Sequence, residues 1–162
     1  MKLSSGFTLV EVLIAVALIG TLAVVAVPLG ASWTSSAESV NTKGVLSQAI
    51  GRAKASAMRN GNKISETNAA VAICLTSGNV EVREASGTVT SAHCTTGGGT
   101  ATWSNKIGTG LTITSGGQAL SCLCFSTKGQ LITSSTNCTA CASSSSFVFS
   151  GSGIENETVA IY

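Results

Sequence analysis

From Phe7 to Leu29 the chain is apolar except for Thr8, Glu11 and Thr21. As a helix this stretch would rise about 35 Å, enough to cross a bilayer. That sets the first constraint on the fold, because such a segment needs a cover of lipid or of other chains. Within it stands a single carboxylate, Glu11. Removing an ionised carboxylate from water is costly unless it finds a partner. Glu11 is therefore a candidate functional residue, and the first question is what balances its charge.

The flanks suggest how the segment is handled. Residues 1–6, MKLSSG, form a short polar leader whose one charge is Lys2. An ordinary secretory signal is cut after its apolar region. Here the small residue, Gly6, comes before that region, so cleavage after Gly6 would leave Phe7 as the new N-terminus with the anchor still attached. Lys2 favours a cytoplasmic start and an exported remainder. The expected organisation is a leader 1–6, a transmembrane and assembly helix 7–29, and an exported domain 30–162 that includes the outer half of the helix.

The helical pattern continues past the apolar run. No proline occurs from Ala31 to Asn60, and Leu46, Ile50, Ala53 and Ala57 fall at i, i+4, i+7 and i+11, one helical face. Asn60-Gly61 is a stop signal. One near-continuous helix from Phe7 to Arg59 would be about 80 Å long. Pro28 is the chain's single proline. It removes a backbone donor inside that helix and is expected to kink or loosen it, and Gly20 weakens the same stretch.

After Gly61 the period changes to that of strands. AVAICLT (70–76) and VEVREA (80–85) flank Ser77-Gly78-Asn79 and read as a hairpin. SAHCTTGGGTATWSN (91–105) reads as a loop. GLTIT, QALSCLCFS, QLIT, SFVFS and TVAIY read as short strands between Gly, Ser and Asn turns, with Thr127-Lys128-Gly129 reversing the chain. The fold class is α+β, a long N-terminal helix packed on an antiparallel sheet.

The charged fraction is 10%, far below the roughly 25% of ordinary soluble domains. Ser, Thr, Gly and Ala take the place of charges, which suits an exported β-rich surface better than a cytosolic enzyme. A net charge of +2 is too small to imply nucleic-acid binding by itself. All 6 cysteines, Cys74, Cys94, Cys122, Cys124, Cys138 and Cys141, follow the apolar run. An even count on the exported side reads as disulfides. Cys74 ends one hairpin strand and Cys94 follows its partner, so a Cys74–Cys94 bridge is expected. Cys122 and Cys124 share one strand face and the chain reverses at Gly129, which makes the nested pairs Cys124–Cys138 and Cys122–Cys141 the expected remainder. A four-thiolate zinc site from the two Cys pairs is the alternative. It is disfavoured because exported thiols tend to be oxidised, so neither a metal nor another cofactor is assigned.

Arg52, Arg59 and Lys63 fall at i, i+7 and i+11, a basic stripe if the helix continues that far. The stripe reads as a solvated face, or as partner to Glu38 and Glu66 of neighbouring molecules. Phosphate contact is the alternative, disfavoured by the few aromatics and by Glu155 and Glu157 near the C-terminus. His93, the one histidine, reads as a solvated loop residue. With no second histidine and scattered acids, no catalytic dyad can be assembled.

GFTLVEVLIAVALIG, with Glu11 five positions after Gly6 and Pro28 closing the run, resembles the N-terminus of type IV pilins and type II secretion pseudopilins. Farther along, AIGRAKASAMRNGN, AVAICLTSGN, TWSNKI and CLCFSTKGQL resemble the GspH/FimT branch of minor pilins and pseudopilins. Ala57, Arg59, Asn60, Cys74, Trp103, Phe125 and Gly129 match that outline, while the extra cysteine cluster and the long Ser/Thr-rich loops depart from it. The resemblance implies a non-enzymatic filament subunit. A prepilin peptidase would cut after Gly6 and methylate the amino group of Phe7. The subunit would wait in the inner membrane, N-terminus cytoplasmic and domain periplasmic, until an assembly platform moved it into a pilus or pseudopilus. There Glu11 would pair with the Phe7 ammonium of an adjacent subunit, and the helix between Gly20 and Pro28 would lose structure. A major pilin is the nearest alternative role. DNA, taken up by some minor pilins of this branch, is a partner the resemblance allows and the residues do not favour.

Overall fold

The computed structural model describes residues 6–76, 78–108, 110–133, 141–142, 144–151 and 154–160, with the side chains of 25–32, 35, 154, 155 and 157 outside the description. Helix α1 (Leu9–Arg59) has 51 residues, about 77 Å of helix. It starts two residues later than the sequence suggests. Thr8 is the N-cap, with φ −81° and ψ 150°, and its side chain accepts a hydrogen bond from the Glu11 amide. Phe7 therefore precedes the helix. The helix continues without a break through Gly20 and Pro28.

The C-terminal stop is built by one residue. Asn60 takes a left-handed conformation (φ 40°, ψ 48°), and its amide bonds to Ala57 and Ser56 carbonyls. Its side chain then clamps the reversal: Oδ1 accepts from the Ile64 amide at 2.7 Å and Nδ2 donates to the Ile64 carbonyl at 3.0 Å. Asn60→Gly keeps the backbone geometry and loses only those side-chain bonds, a cost of about 1 kcal/mol. Asn60→Val should cost a further ~1–2 kcal/mol for its left-handed backbone. Equal urea midpoints for the two variants would show that the backbone geometry is not the constraint.

Nine strands follow among the described residues: β1 (Val71–Thr76), β2 (Asn79–Glu84), β3 (Thr100–Lys106), β4 (Leu111–Ser115), β5 (Gln118–Ala119), β6 (Cys122–Phe125), β7 (Leu131–Ile132), β8 (Ser146–Gly151) and β9 (Ile154–Ala160). They form two antiparallel sheets, β3-β2-β1-β6-β7 and β5-β4-β8-β9, where one was expected. The stretch read as a single strand, 118–126, divides at Leu120-Ser121 and serves both sheets, β5 in one and β6 in the other. The segment read as a loop, 91–105, ends in β3. This strand pairs with β2 through a register shift at Val82/Arg83. Its surface is mostly exposed, so no apolar alternation marked it.

One core joins helix and sheets. Leu46, Ile50, Ala53 and Ala57 of α1 meet Val71, Ile73, Val80, Val82, Leu123 and Phe125 of the first sheet and Phe147 and Phe149 of the second. The apolar period of the helix thus marks the buried face. The first sheet is buried on its other side as well. There Ala72, Cys74 and Cys124 pack under Ala85 and Ala92 of the loop that follows β2. The residues of this second layer are small, so the loop lies close to the sheet. Gly98 allows one such approach, since a Cβ there would collide with the His93 ring and carbonyl.

Candidate functional site: the head of the long helix

The first half of α1 offers apolar side chains in every direction. Phe7 is 84% exposed, and Leu9, Val10, Leu13, Ile14, Val16, Leu18, Ile19, Leu22 and Val24 are exposed around the whole circumference. A helix apolar on all sides has no core-facing stripe and demands a surrounding apolar partner. Among the described residues, no helix is long and apolar enough to cross a membrane. The expected span, Phe7 to Leu29, runs into residues 25–32, whose side chains lie outside the description.

The three polar residues of this segment differ in what they need. Thr21 donates from Oγ1 to the Leu18 carbonyl at 2.9 Å. Thr8 Oγ1 accepts from the Glu11 amide at 3.3 Å. Both hydroxyls bond within their own helix, which lowers the cost of entering an apolar surrounding. Glu11 differs: among the described residues no side chain pairs with its carboxylate, and it is exposed. It stands in the first turn, where the helix dipole favours a negative charge. Thr8-x-x-Glu11 is also the spacing of a capping box, a sequence signal that places the helix start at Thr8 and not at Phe7. Because Phe7 lies outside the helix, Phe7 and Glu11 are not one helical turn apart in the uncleaved chain. Gly6 is exposed just before them, outside any helix or strand. A Cβ at Gly20 would meet nothing within 4 Å, so that glycine affects the helix through its backbone freedom alone.

The basic residues do not form the stripe that their spacing suggested. Helix α1 ends at Arg59, and Lys63 lies beyond the Asn60 cap with φ 54°. Arg59 donates to Ser56 Oγ at 3.1 Å. The Arg52 guanidinium sits 5.6 Å from the Trp103 ring centroid, a cation–π contact with the start of the second half of β3. Glu66 forms an exposed ion pair with Lys128 at 3.0 Å within the chain, and the Glu38 side chain packs over Gly108. His93 is buried, where the sequence suggested a solvated residue. Its Nδ1 lies 2.7 Å from Thr95 Oγ1.

The cysteines close the layer over the first sheet. Cys74 and Cys122 are cross-strand partners on β1 and β6. Each reaches away from the sheet to a loop, in the bridges Cys74–Cys94 and Cys122–Cys141. Both are pairs expected from the sequence. Cys124 is disulfide-bonded, and Cys138, its expected partner, lies outside the described residues. The sulfurs of Cys122, Cys124 and Cys141 gather within 4.8 Å. They are disulfide sulfurs, and a zinc site of this kind needs thiolates.

Residues 1–27 match the family model described as the prokaryotic N-terminal methylation motif, the signature of type IV pilins and pseudopilins. The motif supports a type IV pilin-like or pseudopilin subunit and implies prepilin peptidase processing and assembly with other pilin subunits. No curated protein and no solved structure matches the chain.

Proposed function

We propose that the chain is a non-enzymatic structural subunit of a type IV pilus-like filament, a minor pilin or pseudopilin of the GspH/FimT kind that acts in assembly or priming. Prepilin peptidase cuts after Gly6 and methylates Phe7. The mature subunit is held in the inner membrane by residues 7–29, with its domain in the periplasm, until the assembly platform moves it into the filament. In the filament core, Glu11 meets the Phe7 ammonium of a neighbour. The observation that carries this reading is the division of polar groups at the head of α1. Two hydroxyls bond locally, and one carboxylate on an all-round apolar helix has no partner side chain among the described residues.

The helix supports one further step. Gly20 and Pro28 are the poor helix formers in its apolar half, and we place there the loss of helical structure on entering the filament. The subtype rests on residues that hold the domain together. Asn60 caps α1, Cys74 is bridged, Trp103 stacks on Arg52, and Phe125 is 1% exposed in the core. Gly129, at φ 70°, turns the chain from β6 to β7. N-terminal sequencing of the membrane form should read Phe-Thr-Leu-Val, with the Phe7 nitrogen methylated. An N-terminus at Met1 in the mature fraction would sink the reading. Sheared filaments should contain the chain as a trace component. A dominant band would make it a major pilin instead.

A further inference from the structure

We propose that Trp33 is an interfacial anchor, seated in the outer headgroup layer of the lipid bilayer, and that it sets the height at which the exported domain stands over the membrane. This rests on the membrane-anchored state proposed above. Trp33 is 82% exposed, an unusual position for a large aromatic, and it takes no part in the core. The domain begins above it. Residues 36–38 are exposed, Ser39 is the first buried residue of α1 among the described residues, and Thr42 Oγ1 accepts from the Gly108 amide at 3.2 Å. Between Glu11 and Glu38 the chain has no charged residue, and between Leu29 and Glu38 Trp33 is the one bulky side chain. It thus stands alone on a collar of Gly, Ala, Ser and Thr.

The spacing fits a bilayer. From Leu9 to Trp33 helix α1 rises about 36 Å, the two residues before it add a few ångströms, and a bilayer with its headgroups measures about 40–45 Å. With the charged Phe7 amino group at one surface, Trp33 reaches the other. Leu29, the last residue of the apolar run, lies about 6 Å below it, near the edge of the hydrocarbon. An indole suits that level, because its ring is apolar and its N–H donates to ester or phosphate oxygens. Thr42, where the Gly108 loop docks, is then about 13 Å above the headgroup level, so the domain rides close to the membrane surface.

The test uses the full chain reconstituted in vesicles of phosphatidylethanolamine and phosphatidylglycerol. The chain has 2 tryptophans, so Trp103→Phe leaves Trp33 as the sole indole. Flotation first shows whether the protein is in the vesicles. Trp33 fluorescence is then quenched with lipids brominated near the headgroup, with lipids brominated at the chain end, and with aqueous iodide. The expected result is quenching several-fold stronger by the headgroup-side bromines than by the chain-end ones, with several-fold protection from iodide relative to a free tryptophan amide. If the protein floats with the vesicles but iodide quenches Trp33 as it quenches the free amide, the indole is in water and the inference falls, while the anchored state stands. Dominant quenching from the chain end would also overturn it, by placing Trp33 too deep. Failure to float would remove the anchored state itself.

Discussion

A Glu11→Ala subunit should be inserted and cleaved after Gly6 yet enter filaments poorly, whereas Gly6→Leu should accumulate as uncleaved precursor in the inner membrane. The two defects separate because the residues act at different steps. In the proposed function Gly6 is a substrate position for the peptidase, where a branched side chain would block the cut. Glu11 would act after the cut, when the new Phe7 ammonium of one subunit needs a counter-charge inside a bundle of apolar helices. Leaving one member of such a pair buried and unpaired costs about 3–5 kcal/mol, two or more orders of magnitude in incorporation. Thr8→Ala is the control for the local role of the same turn. It removes the N-cap, a loss of about 1 kcal/mol, but keeps the Glu11 charge. Precursor, mature membrane form and sheared filament fraction are followed for each variant. If Thr8→Ala reproduced the Glu11→Ala defect, the carboxylate would be acting as part of the helix start and not as the inter-subunit charge. Normal incorporation of Glu11→Ala would sink the assembly role altogether.

Replacing Cys74, Cys94, Cys122 and Cys141 together by Ser should bring the exported domain to the edge of unfolding. The two bridges close loops of sequence separation 20 and 19, each worth about 2–4 kcal/mol. Their sum approaches the ~5–15 kcal/mol by which a domain is stable. The buried residues of the layer they hold over the first sheet are alanines and cysteines, and the larger Ile64, Val89 and Ile132 are only partly buried against it. An alanine buries little apolar surface, so the loop from Ala85 to Cys94 is held by its bridge more than by its side chains. Urea unfolding of the quadruple variant should show a large fall in midpoint. A midpoint near that of the parent would mean that the layer is held by its backbone bonds, such as Ala92 amide to Ala69 carbonyl at 2.7 Å. Ser replacements at Cys74 and Cys94 alone should give about half the loss, with the long helix still packed on the other face of the sheet.

The head of the molecule was legible residue by residue. An apolar run long enough for a bilayer, one carboxylate, a glycine before it and a proline at its end are local features, and their meaning depends on spacing along a single helix. The inner face of the outer helix half was equally plain, since Leu46, Ile50, Ala53 and Ala57 recur at the helical period and are all buried. The Asn60 stop and the Gly129 turn are also local, each requiring a left-handed or turn conformation that few residues adopt. What escaped was non-local. β3 carries Thr, Ser, Asn and Lys on an edge and acquires its strand geometry from β2, so no periodicity in its own sequence announces it. The division of 118–126 between two sheets depends on which neighbours each half meets. Lys63 left the basic stripe because Asn60 ended the helix before it. His93 became buried because Gly98 let the loop close on its ring, a contact between residues that no sequence period connects. The sequence by itself therefore determined the helix, its all-round apolar head and the carboxylate within it, where each signal repeats within a few turns of one element. Only the tertiary structure decided the two-sheet arrangement, the small disulfide-held layer behind it and the seats of Arg52 and His93, because these depend on the distance-dependent packing of segments far apart in the chain.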